Sequence, residues 1–254
     1  MKQPFIPSLA LVMLLLNTVV LAQPKTTETY ATSLPPAAEL HYSIKARQSG
    51  FSLDGEALVN WQPTGQKPSQ NYSIKTETRA ALLGKILQAD STGTINSHGL
   101  APTQFDEKRL GKPASMAQFD REKKLLHFSD STTTYPLTGG EQDRTSAIWQ
   151  LVSIARAESH QFIAGSHWIM FVAGRHDAEN WLFNVEGNET ISTPMGMLST
   201  VHLVKTPPPD ASGQRLDIWL APGMEWYPVR LKFTDSDGDM IEQNLVNIKA
   251  GSTH

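Results

Sequence analysis

Eight histidines and 25 aspartates and glutamates are the side chains of this 254-residue chain best suited to acid, base or metal chemistry, and there is no cysteine. Without cysteine there is no thiolate nucleophile, no disulfide framework and no thiolate-held zinc or iron–sulfur site. The sequence holds no Gly-x-Ser-x-Gly, no Ser-x-x-Lys and no His-Glu-x-x-His, so the common hydrolase layouts are missing. Nor does it hold Gly-x-Gly-x-x-Gly or a phosphate-cradling Gly-Lys-Ser/Thr. His160, His167 and His176 lie within 17 residues, and imidazole suits zinc or copper. No two of them stand four apart as on one helix face, and they read as scattered strand and loop histidines. Arg175-His176-Asp177 has the parts of an acid/base group and equally those of a polar link between strands. Asp235 to Asp239 alternates carboxylates as a calcium loop does. Met240 and Val246 stand where such a loop needs Gly and Glu, so the segment reads as an Asp-Gly hairpin turn. No catalytic, cofactor-binding or metal-ligating residue is assigned, and the protein is expected to be non-enzymatic.

The aromatic residues point elsewhere. Trp61, Trp149, Trp168, Trp181, Trp219 and Trp226 fall on elements or their edges. They can fill a core or line an apolar cavity. In the second reading Trp149, Leu151, Trp181 and Trp219 line a pocket for an acyl chain or another amphipathic ligand. Lys108, Arg109, Lys112, Arg121, Lys123 and Lys124 form the densest basic region, interleaved with Asp106, Glu107, Asp120 and Glu122. Mixed signs read as a solvated face; contact with anionic lipid headgroups is the functional alternative. With 22 Lys+Arg against 25 Asp+Glu the chain lacks the basic surplus of a general nucleic-acid binder.

These residues need elements to hold them. Leu40 to Arg47 alternates apolar and polar side chains without a break, and Phe51, Leu53, Ala57, Val59 and Trp61 continue that phase. Period-2 alternation marks strands with one buried face, here joined as a hairpin. Further strands are expected over 70–78, 84–97, 100–110, 114–121, 124–129, 166–174, 179–187, 197–206, 214–221, 226–235 and 239–249. Between them, Ile148, Leu151, Val152 and Ala155 recur at helical spacing, with Asp143 placed as an N-cap. That predicts one helix over about 144–159. The expected fold is mainly β: an antiparallel meander of about twelve strands forming a barrel or half-barrel with one packed helix.

Residues 1–22 read as a signal peptide: Lys2, an apolar run from Leu9 to Leu21, and a cleavage site after Ala22. About 13 apolar residues are too few for a spanning helix, which needs roughly 20. Residues 23–37 read as a flexible leader, 38–249 as a single β-rich domain and 250–254 as a tail. Several motifs then carry a likeness. They are Gln142-Asp143-Arg144-Thr145-Ser146, Thr193-Pro194-Met195-Gly196, Asp217-Ile218-Trp219-Leu220-Ala221, Tyr227-Pro228-Val229-Arg230 and Asp235-Ser236-Asp237-Gly238. In this order they resemble the bacterial exported domain-of-unknown-function 3108 family. The resemblance implies a β-rich periplasmic protein of a Gram-negative bacterium and carries over no catalytic residue. The expected function is to bind or handle an apolar or amphipathic envelope component such as a lipid. The alternatives are a module docking on another envelope protein and a glycan or cell-wall hydrolase.

Overall fold

A computed structural model describes residues 29–48, 50–66, 69–207 and 213–251; residues 1–22, the expected signal peptide, lie outside them. One 15-stranded sheet runs through the chain. Its first eight strands are β1 (Ala38–Gln48), β2 (Phe51–Thr64), β3 (Asn71–Ala80), β4 (Gly84–Asn96), β5 (Gly99–Arg109), β6 (Ser115–Asp120), β7 (Leu125–Phe128) and β8 (Ser131–Pro136). A two-residue strand, β9 (Gln142–Asp143), precedes the helix α1 (Ser146–Ala157). Then come β10 (His167–Ala173), β11 (Ala178–Thr193), β12 (Gly196–Lys205), β13 (Arg215–Leu220), β14 (Pro228–Thr234) and β15 (Met240–Ala250). The order across the sheet is β8 to β1 and then β15 down to β9. Every pairing is antiparallel except the parallel pair of β9 with β10.

The alternation read in the sequence sets the faces. Leu40, Tyr42 and Ile44 of β1 are buried, while His41, Ser43 and Lys45 between them face water in part or fully. Phe51 keeps the expected phase but stands exposed, because it lies at the β1–β2 turn. Two strands exceed the expected set. β8 is mostly Thr and Ser, so it shows no apolar period, and β9 has only two buried polar residues.

The sheet curls without closing; β8 and β9 are its free edges. Side chains take the place of a ladder at the gap. The Gln142 side-chain amide donates to the Leu100 carbonyl at 2.7 Å, and the Ser91 hydroxyl donates to Asp143 Oδ2 at 2.5 Å. The Leu100 N–H donates to Gln150 Oε1 at 2.9 Å. Arg121 reaches both Glu141 at 2.5 Å and the Pro102 carbonyl at 3.1 Å.

Helix α1 lies inside the curl. It starts two residues later than predicted, with Thr145 as the cap residue. Asp143 still serves the helix start, accepting the N–H groups of Thr145 and Ser146 at 2.9 and 2.8 Å. Leu151, Val152, Ile154 and Ala155 pack into a core with β10 to β14. On the opposite side Trp149 stacks on Trp61 at 4.6 Å and 11°, joining a core built by β1, β2 and β3.

The end of the curl near the helix C-terminus is closed by the chain that enters β1. This part of the expected flexible leader is packed. The Ser33 N–H donates to the Ser153 carbonyl at 2.9 Å. Trp61 Nε1 donates to the Pro35 carbonyl at 3.1 Å and the Tyr227 hydroxyl to the Pro36 carbonyl at 2.7 Å. Tyr30 meets Trp168 edge-on at 5.0 Å. Aromatic anchors far along the chain fix this segment, and its own Tyr30 and Leu34 pack against the cores.

Candidate functional site: an open cavity beside the helix

The other end is open. A cavity of about 800 Å³ enters there and runs down to the start of α1. That volume lies within the range of about 300–1,000 Å³ typical of small-molecule sites. Its apolar walls come from strand positions that face inward: Ile44, Val59, Ala89, Phe105, Leu216 and Leu231. Ile148 and Trp149 form the floor. Leu151, Val152, Ile154 and Ala155 fill the curl against β10 to β14 and Trp149 fills it against Trp61, while the space beside the first turn stays unfilled.

Charged groups lie among these walls. Glu107 is buried and neutralised by Arg109 at 2.7 Å and Arg175 at 3.2 Å. Lys205 is buried with its ammonium 4.9 Å from the Trp181 ring and 3.5 Å from Glu179. Arg144 is exposed and lines the cavity beside Thr145. Thr78 on the wall has a buried hydroxyl with no protein partner. An apolar chamber with a few polar groups suits an amphipathic guest.

The residues proposed from sequence divide. Trp149 is at the floor and Trp181 on the wall. Leu151 is one helical turn deeper, fully buried in the filled core, and lines nothing. Trp219 is on the other face of the sheet, because Leu216, Ile218 and Leu220 alternate with it and point to the core. It lies flat on His202 at 4.4 Å and 4°, below Arg230 at 5.5 Å, with Nε1 donating to Glu189 at 2.8 Å. The period-2 rule applied to β13 would have placed it there. The place of Arg144, Glu107, Lys205 and Thr78 at the cavity escaped the sequence reading, since only the curl brings them together.

Among the described residues, no carboxyl group whose pKa is clearly shifted lines the cavity. Burial pushes the Asp143 carboxyl up to about 6 against the pull of Ser91 and the Ser146 and Thr145 N–H groups. Perturbed groups often mark active sites, but Asp143 is fully buried beyond the cavity wall and its oxygens are taken by the helix start. On the outer face burial acts to raise Asp217, yet His202 and Arg215 hold it down to about 2. Among the described residues no group of three or more His, Asp or Glu is placed to hold a metal ion. Arg175-His176-Asp177 is the β10–β11 link, closed by the Gly174 N–H donating to the Asp177 carbonyl at 2.8 Å. Asp235 to Asp239 is a hairpin turn, with Gly238 at φ +86° and its N–H donating to the Asp235 carbonyl at 3.0 Å.

The family described as "Protein of unknown function (DUF3108)" matches residues 39–246. The chain belongs to that family. No curated protein matches the sequence. Among solved structures, the DUF3108 chain is similar to a β-barrel-like protein of domain of unknown function DUF1849 from Brucella abortus. That likeness has a TM-score of 0.56 at 13% identity, covering 87% of this chain and 100% of the other. It is a likeness of fold. A DUF1329 family protein from Desulfovibrio piger aligns with a TM-score of 0.30 at 8% identity, over 85% of this chain and 86% of that one. MucB aligns with a TM-score of 0.31 at 7% identity, over 86% and 55%. Among the described residues no helix is long and apolar enough to cross a membrane.

Proposed function

We propose that this DUF3108 protein is a non-enzymatic periplasmic binder of an amphipathic envelope molecule, with the guest's apolar chain in the cavity beside α1. One observation carries the reading: a cavity of about 800 Å³ with apolar walls, open at one end of a half-barrel. Burying apolar surface there is favourable by about 25 cal/mol per Å², so a chain of many methylenes gains substantially on entry. The signal-like residues 1–22 support export as the setting. A hydrolase reading would need a free acid/base pair at the cavity; Glu107, the buried carboxylate there, is already held by two arginines.

The test is mass spectrometry of organic extracts from protein purified out of the periplasm without detergent. A near-stoichiometric apolar or amphipathic molecule, absent from a control protein, is the expected result. A folded protein that yields none and takes up no added fatty acid or phospholipid would contradict the reading.

A further inference from the structure

Three neighbouring turns at the open end share one composition. The β1–β2 turn carries Arg47 and Phe51. The β3–β4 turn reads Arg79-Ala80-Ala81-Leu82-Leu83-Gly84-Lys85, and the β5–β6 turn Lys108-Arg109-Leu110-Gly111-Lys112. Alternate turns of an up-and-down meander fall at the same end, and β1 to β6 are consecutive in the sheet, so these three stand side by side. Their large apolar residues point to water: Leu82 is 90% exposed, Phe51 73%, Leu110 56% and Leu83 54%. Each turn also carries cations. Of the six, Arg79 and Lys85 share Glu77 and Arg109 meets Glu107; with exposed Asp54 also at this rim, the group keeps a net positive charge. Leu83, Leu110, Arg47, Arg79 and Arg109 also line the cavity.

We propose that these three turns dock the protein onto an anionic lipid bilayer, with the cavity mouth against the membrane. Strands lie about 4.8 Å apart, so turns on every second strand gap stand roughly 10 Å from one another. Separate apolar tips at that spacing enter a deformable headgroup layer one by one, whereas a rigid protein partner would need a matching socket for each. The flanking cations fit the negative surface potential of anionic lipids. The β14–β15 turn at the same end carries Asp235, Asp237 and Asp239, so docking is led by the β1–β6 side. The proposal goes beyond the binding of a guest and does not depend on the cavity being occupied.

The test is flotation of the full chain with vesicles of phosphatidylglycerol and phosphatidylethanolamine, or of phosphatidylcholine alone. Binding to the anionic vesicles is expected, at least tenfold weaker on phosphatidylcholine. A further tenfold loss is expected for Leu82→Asp with Leu110→Asp, and for Lys108→Glu with Lys112→Glu. Met195→Asp with Met197→Asp, at the exposed β11–β12 turn on the opposite end, is expected to leave binding unchanged. Circular dichroism and urea midpoints of each variant verify folding. No flotation of the wild type, equal binding to both vesicles, or an equal loss in the methionine variant would overturn the proposal. So would lipid-free self-association that the leucine variant abolishes, which would make the rim an interface between copies. Extractable ligand, measured on the same preparations, reports on the cavity separately.

Discussion

Asp143 shows how a single residue gains its role from burial. Its carboxyl accepts from Ser91, Thr145 and Ser146 and still lies near 6 because the interior penalises its charge. An unfolded aspartate titrates at about 3.9, so the native state binds this proton more tightly. The stability it contributes is therefore complete below about pH 4 and is lost as pH rises through about 6, an effect on the order of 3 kcal/mol. Urea midpoints of the wild type are expected to fall between those values, and Asp143→Asn is expected to flatten that slope. An unchanged slope in the variant would assign it to another group. The sequence suggested Asp143 as a helix cap and was right about its service, though not about its position. Its raised pKa was invisible there, because it comes from burial that only the folded sheet creates. Trp219 is the opposite case: alternation with Leu216, Ile218 and Leu220 was legible and excluded it from the cavity.

Helix α1 has two tasks on different parts of its surface. Leu151 is fully buried against β10 to β14, and Ile148 is half-buried at the cavity floor. Leu151→Ala is expected to cost about 3 kcal/mol in urea unfolding while leaving ligand content per folded molecule unchanged. Ile148→Trp is expected to reduce ligand content severalfold by filling the floor, with a stability change of about 1–3 kcal/mol at most. If both variants change stability and ligand content in the same ratio, the division of the helix is wrong. Its apolar stripe was plain in the sequence from Ile148, Leu151, Val152 and Ala155. Which of these would meet a strand and which would face space depended on how far the sheet curls. Strands with an apolar period were legible for the same reason. β8 and β9 were not, because Thr and Ser at an edge and Gln-Asp in the interior have no such period.

The whole molecule is a half-barrel whose gap is bridged by side chains. Gln142, Gln150, Asp143 and Arg121 make contacts across 19 to 52 residues of sequence, so closure could be expected from the meander but not located in it. The same curl leaves one end shut by residues 29–37 and the other open. Occupation of the open end by an apolar chain is tested by quenching of tryptophan fluorescence with a brominated fatty acid. Trp181 lines the cavity and Trp219 lies on the outer face of the sheet. Trp149 lines the cavity floor as well, so saturable quenching is expected that Trp149→Phe with Trp181→Phe largely removes and Trp219→Phe leaves intact. Quenching that survives the double replacement of Trp149 and Trp181 but disappears with Trp219→Phe, or no quenching at all, would contradict it.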